Sequence, residues 1–286
     1  DELEKDEFAF SIIDEIFVST NFYEGVWQIL DSISAPSFSA IGYYFAKIVA
    51  QKTGVPIGII NVSVGGSPIE AWMSKASLIN DATFSKKIND SWLTNDYLPV
   101  WIRQRGKENI GLTNLNGNHA FKPTFLYDAA IVPLSKLKIA GILWYQGESN
   151  VGNYEEYQSL FTGMIKDWRE KWAEELPFYF VQIAPFKYNP KAQSQGLRDA
   201  QRKTLNLEKT GMAITMDIGT KDYIHPPKKK EVADRLLYNA LNKTYSFKTI
   251  EYAGPVFDSM EIKDGGLNIK FKNADNGVYV YDTLEG

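Results

Sequence analysis

Short apolar runs alternate along this chain with longer stretches whose apolar residues recur at helical spacing. Residues 38–52, FSAIGYYFAKIVAQK, put Ile41, Tyr44, Phe45 and Ile48 on one face and predict a helix, with Ser37 or Ser39 as its cap. The run VPIGIINVSV at 55–64 is short, apolar and β-branched, as expected of a strand buried on both faces. IAGILWYQ (139–146), FYFVQIAP (178–185) and GMAITMDI (211–218) read the same way, and FAFSIIDEIFV (8–18) has room for a further strand. Helical stretches lie near 153–173, 194–206 and 227–242. This alternation predicts an α/β fold, a three-layer α/β/α sandwich around a mostly parallel sheet. In such sheets ligands bind beyond the carboxyl ends of the strands.

After about residue 248 the period changes. The segment MEIKDGGLNIKFKNADNGVYVY alternates at period two, with turns at Asp264-Gly265-Gly266 and Asn276-Gly277, and predicts β-hairpins. The expected division is an α/β domain over 1–248 and a β-rich segment over 249–286 that would open an appended β module.

Composition narrows the function. A chain of 286 residues with 44% apolar content can bury one large core. With a net charge of −4, it lacks the basic excess of a nucleic-acid binder. Its 7 Trp, 16 Tyr and 16 Phe build core first, but aromatic faces also wall sugar clefts. The absence of cysteine excludes disulfides, thiol catalysis and thiolate metal sites. No apolar run reaches the ~18 residues that would span a bilayer. No signal peptide opens the chain, and because Asp1 follows no initiator Met, upstream residues are expected.

Three loops that follow predicted strands hold candidate chemistry. His225 sits in Asp222-Tyr223-Ile224-His225-Pro226-Pro227, after the run 211–218 and before a helix. A nearby carboxylate can hold an imidazole in one tautomer and stabilise its protonated form. Taken alone, D-x-x-H equally describes a surface histidine. The other histidine, His119, lies in NGNHAFKP with no acid close in sequence, and contact with substrate is the bolder reading of it. Trp144-Tyr145-Gln146-Gly147-Glu148-Ser149-Asn150 reads either as a turn with a helix cap or as a loop that aims Gln146 and Glu148 into a cleft beside Trp144 and Asn150. Gly65-Gly66 reads either as a tight turn or as backbone N–H groups presented to an oxyanion.

In combination these blocks resemble a known family. NVSVGGSPIEAWMS, PTFLYDAAIVPL, GILWYQGESN, MIKDWREKW, LPFYFVQIAPF and IHPPKKKEVADRL are similar to successive segments of the sialate O-acetylesterases, relatives of the acetylxylan esterases, over roughly residues 37–242. The resemblance implies an SGNH-type, flavodoxin-like fold and removal of O-acetyl groups from carbohydrates, with no metal or organic cofactor. It implies His225 as catalytic base, Asp222 or Glu148 as the acid that orients it, and Gly65, Gly66 and Gln146 as oxyanion-hole positions. An extracytoplasmic location also follows from it. The family's nucleophile lies in a G-Q-S-N-M-like segment after the first strand, and no such segment occurs in these residues. Ser149 matches a block in which serine is not the nucleophile.

The expectation is therefore acyl transfer to water through a serine outside the numbered chain. In the flavodoxin-like order the first strand is interior, so a strand from elsewhere is expected beside 55–62. The competing reading is an inactive, carbohydrate-binding relative. A lipase-like esterase fits the polar loops poorly.

Overall fold

The computed structural model describes residues 23, 25–31, 33–88, 91–111, 115, 117–188 and 193–278. The strand expected at 8–18 lies outside these residues.

Three parallel strands, β1 (Ile142–Trp144), β2 (Phe178–Val181) and β3 (Thr210–Ala213), form a sheet in that order. Phe178 pairs with Ile142 on one side and Thr210 on the other. Among the described residues the α-helices are α1 (Ala40–Thr53), α2 (Lys75–Ile79), α3 (Val100–Ile110), α4 (Val132–Leu134), α5 (Tyr154–Trp172), α6 (Ser194–Thr204) and α7 (Lys229–Lys243). A π-helical turn, Tyr127–Ile131, runs directly into α4.

Strand alternation sorts side chains onto two cores. Phe178 and Phe180 join Leu160, Phe161 and Met164 of α5 and Leu197 of α6. Tyr179 and Val181 point the other way, to Phe45 and Val49 of α1 and to Val232, Leu236 and Ala240 of α7. The result is the three-layer sandwich that the alternation predicts. Helix α1 begins where its cap was expected, with Ser39 Oγ accepting from Gly42 N at 3.2 Å, and ends at Gly54 with φ +73°.

One expectation needs correction. Residues 55–64 carry no ladder with any strand among the described residues. Ile57 and Ile59 pack toward the α1–α7 core and Val62 and Val64 toward the other, as strand residues would. Yet Val55 and Ile60 are exposed, so the run is not buried on both faces. Alternating β-branched residues dictate an extended backbone, whereas a strand also needs a neighbour for its N–H and C=O groups. Here the Tyr23 hydroxyl donates to Val62 O, the Trp27 ring lies over Gly58, and Val64 O accepts from Ser67 N in the turn that follows.

Beyond α7 the chain forms the expected hairpin, β4 (Val256–Lys263) and β5 (Gly266–Lys272). Asp264 and Gly265 make its turn with φ of 52° and 77°, the twist that two-residue hairpins prefer. Phe257 faces Phe271, Met260 faces Ile269 and Ile262 faces Leu267, but every residue of both strands is exposed. Gly277, φ 88°, makes a second turn, and the strand expected after it lies outside the described residues. No helix among the described residues is long and apolar enough to cross a membrane.

A buried charge pair anchors the side of the fold that carries the site. Lys87 Nζ meets Glu70 Oε1 at 3.0 Å, Glu156 Oε2 at 2.8 Å and Tyr97 O at 3.2 Å, which uses all three ammonium donors. Burial disfavours this ammonium, but the two carboxylates outweigh burial and raise its pKa. Lys87→Met should lower the unfolding free energy by about 3–5 kcal/mol, read from urea midpoints, because it leaves Glu70 as an uncompensated buried charge.

Candidate active site

The loop after 55–64 turns at Gly66, whose φ is +71°. A Cβ on Gly66 would also lie 3.2 Å from Phe121 Cζ, so both backbone and space require glycine there. Ser67 closes the turn. Its hydroxyl donates to Val64 O at 2.8 Å and accepts from Trp72 Nε1 at 2.9 Å. Among the described residues, neither Gly65 N nor Gly66 N donates a hydrogen bond.

The loop after β1 is shaped by Gly147, φ 153°, where a Cβ would come within 2.7 Å of Ile183 and 2.8 Å of Leu197. A 3-10 turn, Glu148–Asn153, leads from it into α5. The two loops are laced together. Gln146 Nε2 donates to Ser67 O (3.1 Å) and to Asn150 Oδ1 (2.7 Å), while its Oε1 accepts from Tyr157 (2.8 Å). Ser149 Oγ donates to Gly66 O at 2.7 Å.

The loop after β3 carries Asp222 and His225. It is tied to the β2–α6 loop by Lys187 N donating to Lys221 O at 2.8 Å. Asp217, earlier in the same loop, makes two 2.6 Å bonds to Arg235 of α7. All three loops leave the carboxyl ends of their segments, and the start of α7 returns to the β1 loop. Lys229 lies over the Tyr145 ring at 5.7 Å and is coupled to Glu148.

Glu148 is half-buried, and loss of water pushes its carboxyl pKa up while Lys229 opposes that shift. Lys229 is its mirror image: burial lowers the ammonium and Glu148 raises it. Three buried polar atoms of residues coupled to this pair, directly or through Tyr188, have no hydrogen-bond partner among the described residues: Tyr145 OH, Tyr188 OH and Arg198 Nη1. Unpaired buried donors are costly in a folded protein and become useful when a polar ligand reaches them.

The other expected site residues are distributed as follows. His225 and Asp222 are both exposed, and no hydrogen bond or ion pair joins His225 to Asp222 or Glu148 among the described residues. The D-x-x-H spacing thus brings base and acid to one loop without joining them. Trp144, expected at the substrate, is 7% exposed and packed in the core, with its ring 5.7 Å from those of Trp72 and Trp168. Asn150 is fully buried and commits its amide to Ile69 N, Gln146 and Glu70. Both N–H groups of Gln146 are engaged as well, so it holds the glycine loop. His119 is 3% exposed and pairs with Asn109 (2.9 Å) and Phe121 N (2.9 Å). Burial, aided by Arg105, lowers the His119 pKa to about 4.

Sequence reasoning passed over Lys229, Tyr145, Tyr188, Arg198 and Trp101. Lys229 sits in Lys228-Lys229-Lys230, which reads as a solvated run, although the middle lysine is the one that turns inward. The aromatic excess is the only signal for Tyr145, Tyr188 and Trp101, and nothing in the sequence marks Arg198.

Residues 107–239 match the family model described as carbohydrate esterase, sialic acid-specific acetylesterase. The human sialate O-acetylesterase is 28% identical over 257 residues, 82% of this chain and 45% of that protein. The mouse sialate O-acetylesterase is 25% identical over 82% of the chain and 48% of its own length. The crystal structure of a carbohydrate acetylesterase from Xanthomonas citri superposes with a TM-score of 0.69 at 34% identity, covering 88% of this chain and 51% of that one. Over most of its length the chain is thus similar to sialate O-acetylesterases and to a carbohydrate acetylesterase. It spans about half the length of the relatives it matches.

Two sets of outcomes test the construction of the candidate site. Gly66→Ala should cost about 1–3 kcal/mol of stability, whereas Gly65→Ala, with open space at its Cβ, should stay within about 0.5 kcal/mol. By NMR, Glu148 should titrate above the ordinary glutamate value of about 4.3. Glu148→Gln should drive the Lys229 amine further below its usual value of about 10.4, because it deletes the charge that holds that ammonium up.

Proposed function

We propose that this protein hydrolyses acetyl esters on carbohydrates by a serine, histidine and acid mechanism. What supports the reading is that three loops leaving the carboxyl ends of their segments offer complementary groups: N–H groups at Gly65 and Gly66 that are unpaired among the described residues, a desolvated carboxyl at Glu148, and an accessible imidazole at His225. Resemblance to proteins that are themselves acetylesterases of sugars supports it.

In this mechanism a serine hydroxyl attacks the acetyl carbonyl while His225 takes its proton. Ser63, Ser67 and Ser149 are poor choices for that serine, since each hydroxyl already donates within its own loop or to its neighbour. The N–H groups of Gly65 and Gly66 hold the oxyanion. His225 then returns the proton to the departing sugar hydroxyl. Water, activated by His225, cleaves the acetyl-serine to acetate and restores the serine. Asp222 or Glu148 supplies the orienting charge once the loops close on substrate, because hydrogen bonds at catalytic sites often tighten only in the complex. The unpaired Tyr145, Tyr188 and Arg198 donors suit a ligand rich in hydroxyls.

A second reading, a sugar-binding relative without turnover, draws on the lack of a carboxylate contact at His225. Release of acetate from O-acetylated N-acetylneuraminate and from acetylated xylose separates the two. The esterase reading expects turnover that His225→Ala reduces by about 10²–10⁴-fold with the fold intact, while His119→Ala chiefly costs stability. Sugar binding with no acetate released would favour the second reading. An activity indifferent to His225→Ala would remove the mechanism.

A further inference from the structure

Trp101 is half in the protein and half out, and its fixed half touches both candidate loops. We propose that its open face is the platform on which the substrate's sugar ring rests. This inference rests on the esterase reading and adds a specificity-determining residue to it.

The indole sits near the start of α3, next to Ile102, which is fully buried. It remains 40% exposed. Its Nε1 donates to Ser149 O at 3.2 Å, in the loop after β1. Its ring meets Phe121 edge-on, with centroids 5.4 Å apart at 65°. It also reaches the glycine turn, since a Cβ on Gly66 would lie 3.7 Å from Trp101 Cη2. One side chain thus spans the loop that offers N–H donors and the loop that carries Glu148.

A tryptophan normally buries its large apolar area, and burial of this one stops short. What remains open is a flat surface held in one orientation by a hydrogen bond and an aromatic neighbour. Such a surface loses little side-chain freedom when a ligand lands on it. A pyranose has one face made largely of C–H bonds, weakly positive, which matches the negative face of an indole. A sugar stacked on Trp101 would hang its ester beside Gly65 and Gly66. Trp144, the tryptophan inside the polar motif, has no such face to offer, because core rings surround it. Tyr223, another exposed aromatic, has no hydrogen bond or ring contact with either loop among the described residues and carries no similar argument.

The test compares Trp101→Ala and Trp101→Phe with wild type on two kinds of ester: acetylated sugars (O-acetylated N-acetylneuraminate and acetylated xylose) and ethyl acetate, which has no ring. Trp101→Ala should raise KM for at least one sugar ester about five- to tenfold, with kcat on ethyl acetate within about twofold of wild type. Trp101→Phe keeps a ring and should recover most of the sugar KM. If both variants lose kcat equally on both kinds of ester, Trp101 merely holds the Ser149 carbonyl and the platform is wrong. An unchanged sugar KM in Trp101→Ala would also overturn it. Should wild type hydrolyse neither kind of ester, the esterase reading fails by itself. Calorimetric titration of N-acetylneuraminate and xylose then decides the platform: binding lost in Trp101→Ala supports it, and equal or absent binding rejects it.

Discussion

The amide of Asn150 is the point on which the site depends. It is fully buried, accepts from Ile69 N and Gln146, and donates to Glu70. Glu70 in turn carries the Lys87 ion pair. This chain of contacts welds the turn after 55–64 to the turn after β1, two segments about eighty positions apart in sequence. Each polar atom left unpaired at such depth would cost about 1–3 kcal/mol, and an unpaired charge more. The network is therefore stable only when complete, and its completeness holds the Gly65-Gly66 N–H groups at a set distance from Glu148.

The sheet contributes by being short. Strands β1, β2 and β3 run for 3, 4 and 4 residues, so the apolar runs outlast the ladder. The residues that leave it, from Tyr145, Gln182 and Ile214 onward, open the loops beyond the carboxyl ends of the strands. Aromatic packing compensates for the small number of ladder bonds. Trp72, Trp144, Phe161, Trp168 and Phe178 form one connected cluster under the β1 loop. That rigid base allows a loop of glycine and polar residues above it to keep its shape.

Around Glu148 the balance reverses. A raised carboxyl pKa, a lowered lysine pKa and three donors unpaired among the described residues are linked electrostatically, directly or through Tyr188. Desolvation without full pairing is unfavourable for folding and favourable for binding a polar ligand. The contrast with Asn150 separates residues that build the site from those available to use it.

How much was legible in the sequence follows the same line. Helices α1, α5, α6 and α7 emerged within a few residues, because a buried stripe at helical spacing needs only local order. The Gly-Gly, Gln-Gly-Glu and Asp-x-x-His blocks were legible as motifs, and family resemblance assigned them an order. Local pattern did not say which face a side chain takes. Trp144 and Tyr145 are neighbours, yet strand alternation sends Trp144 into one core and leaves Tyr145 on the other side. His119 lies in a polar stretch but is enclosed by Trp92, Phe121 and Asn109 from other turns. The run 55–64 has the composition of a central strand, but a strand exists only with a partner for its backbone. By itself the sequence determined the α/β class, the positions of the main helices and the three loops that hold the chemistry, since these depend on periodicity and turn residues. The commitment of Gln146 and Asn150 to each other, the coupling of Lys229 to Glu148 and the placing of Trp101 against Gly66 were decided only by tertiary structure. Each of these depends on contacts between segments whose distance along the chain carries no information about their distance in space.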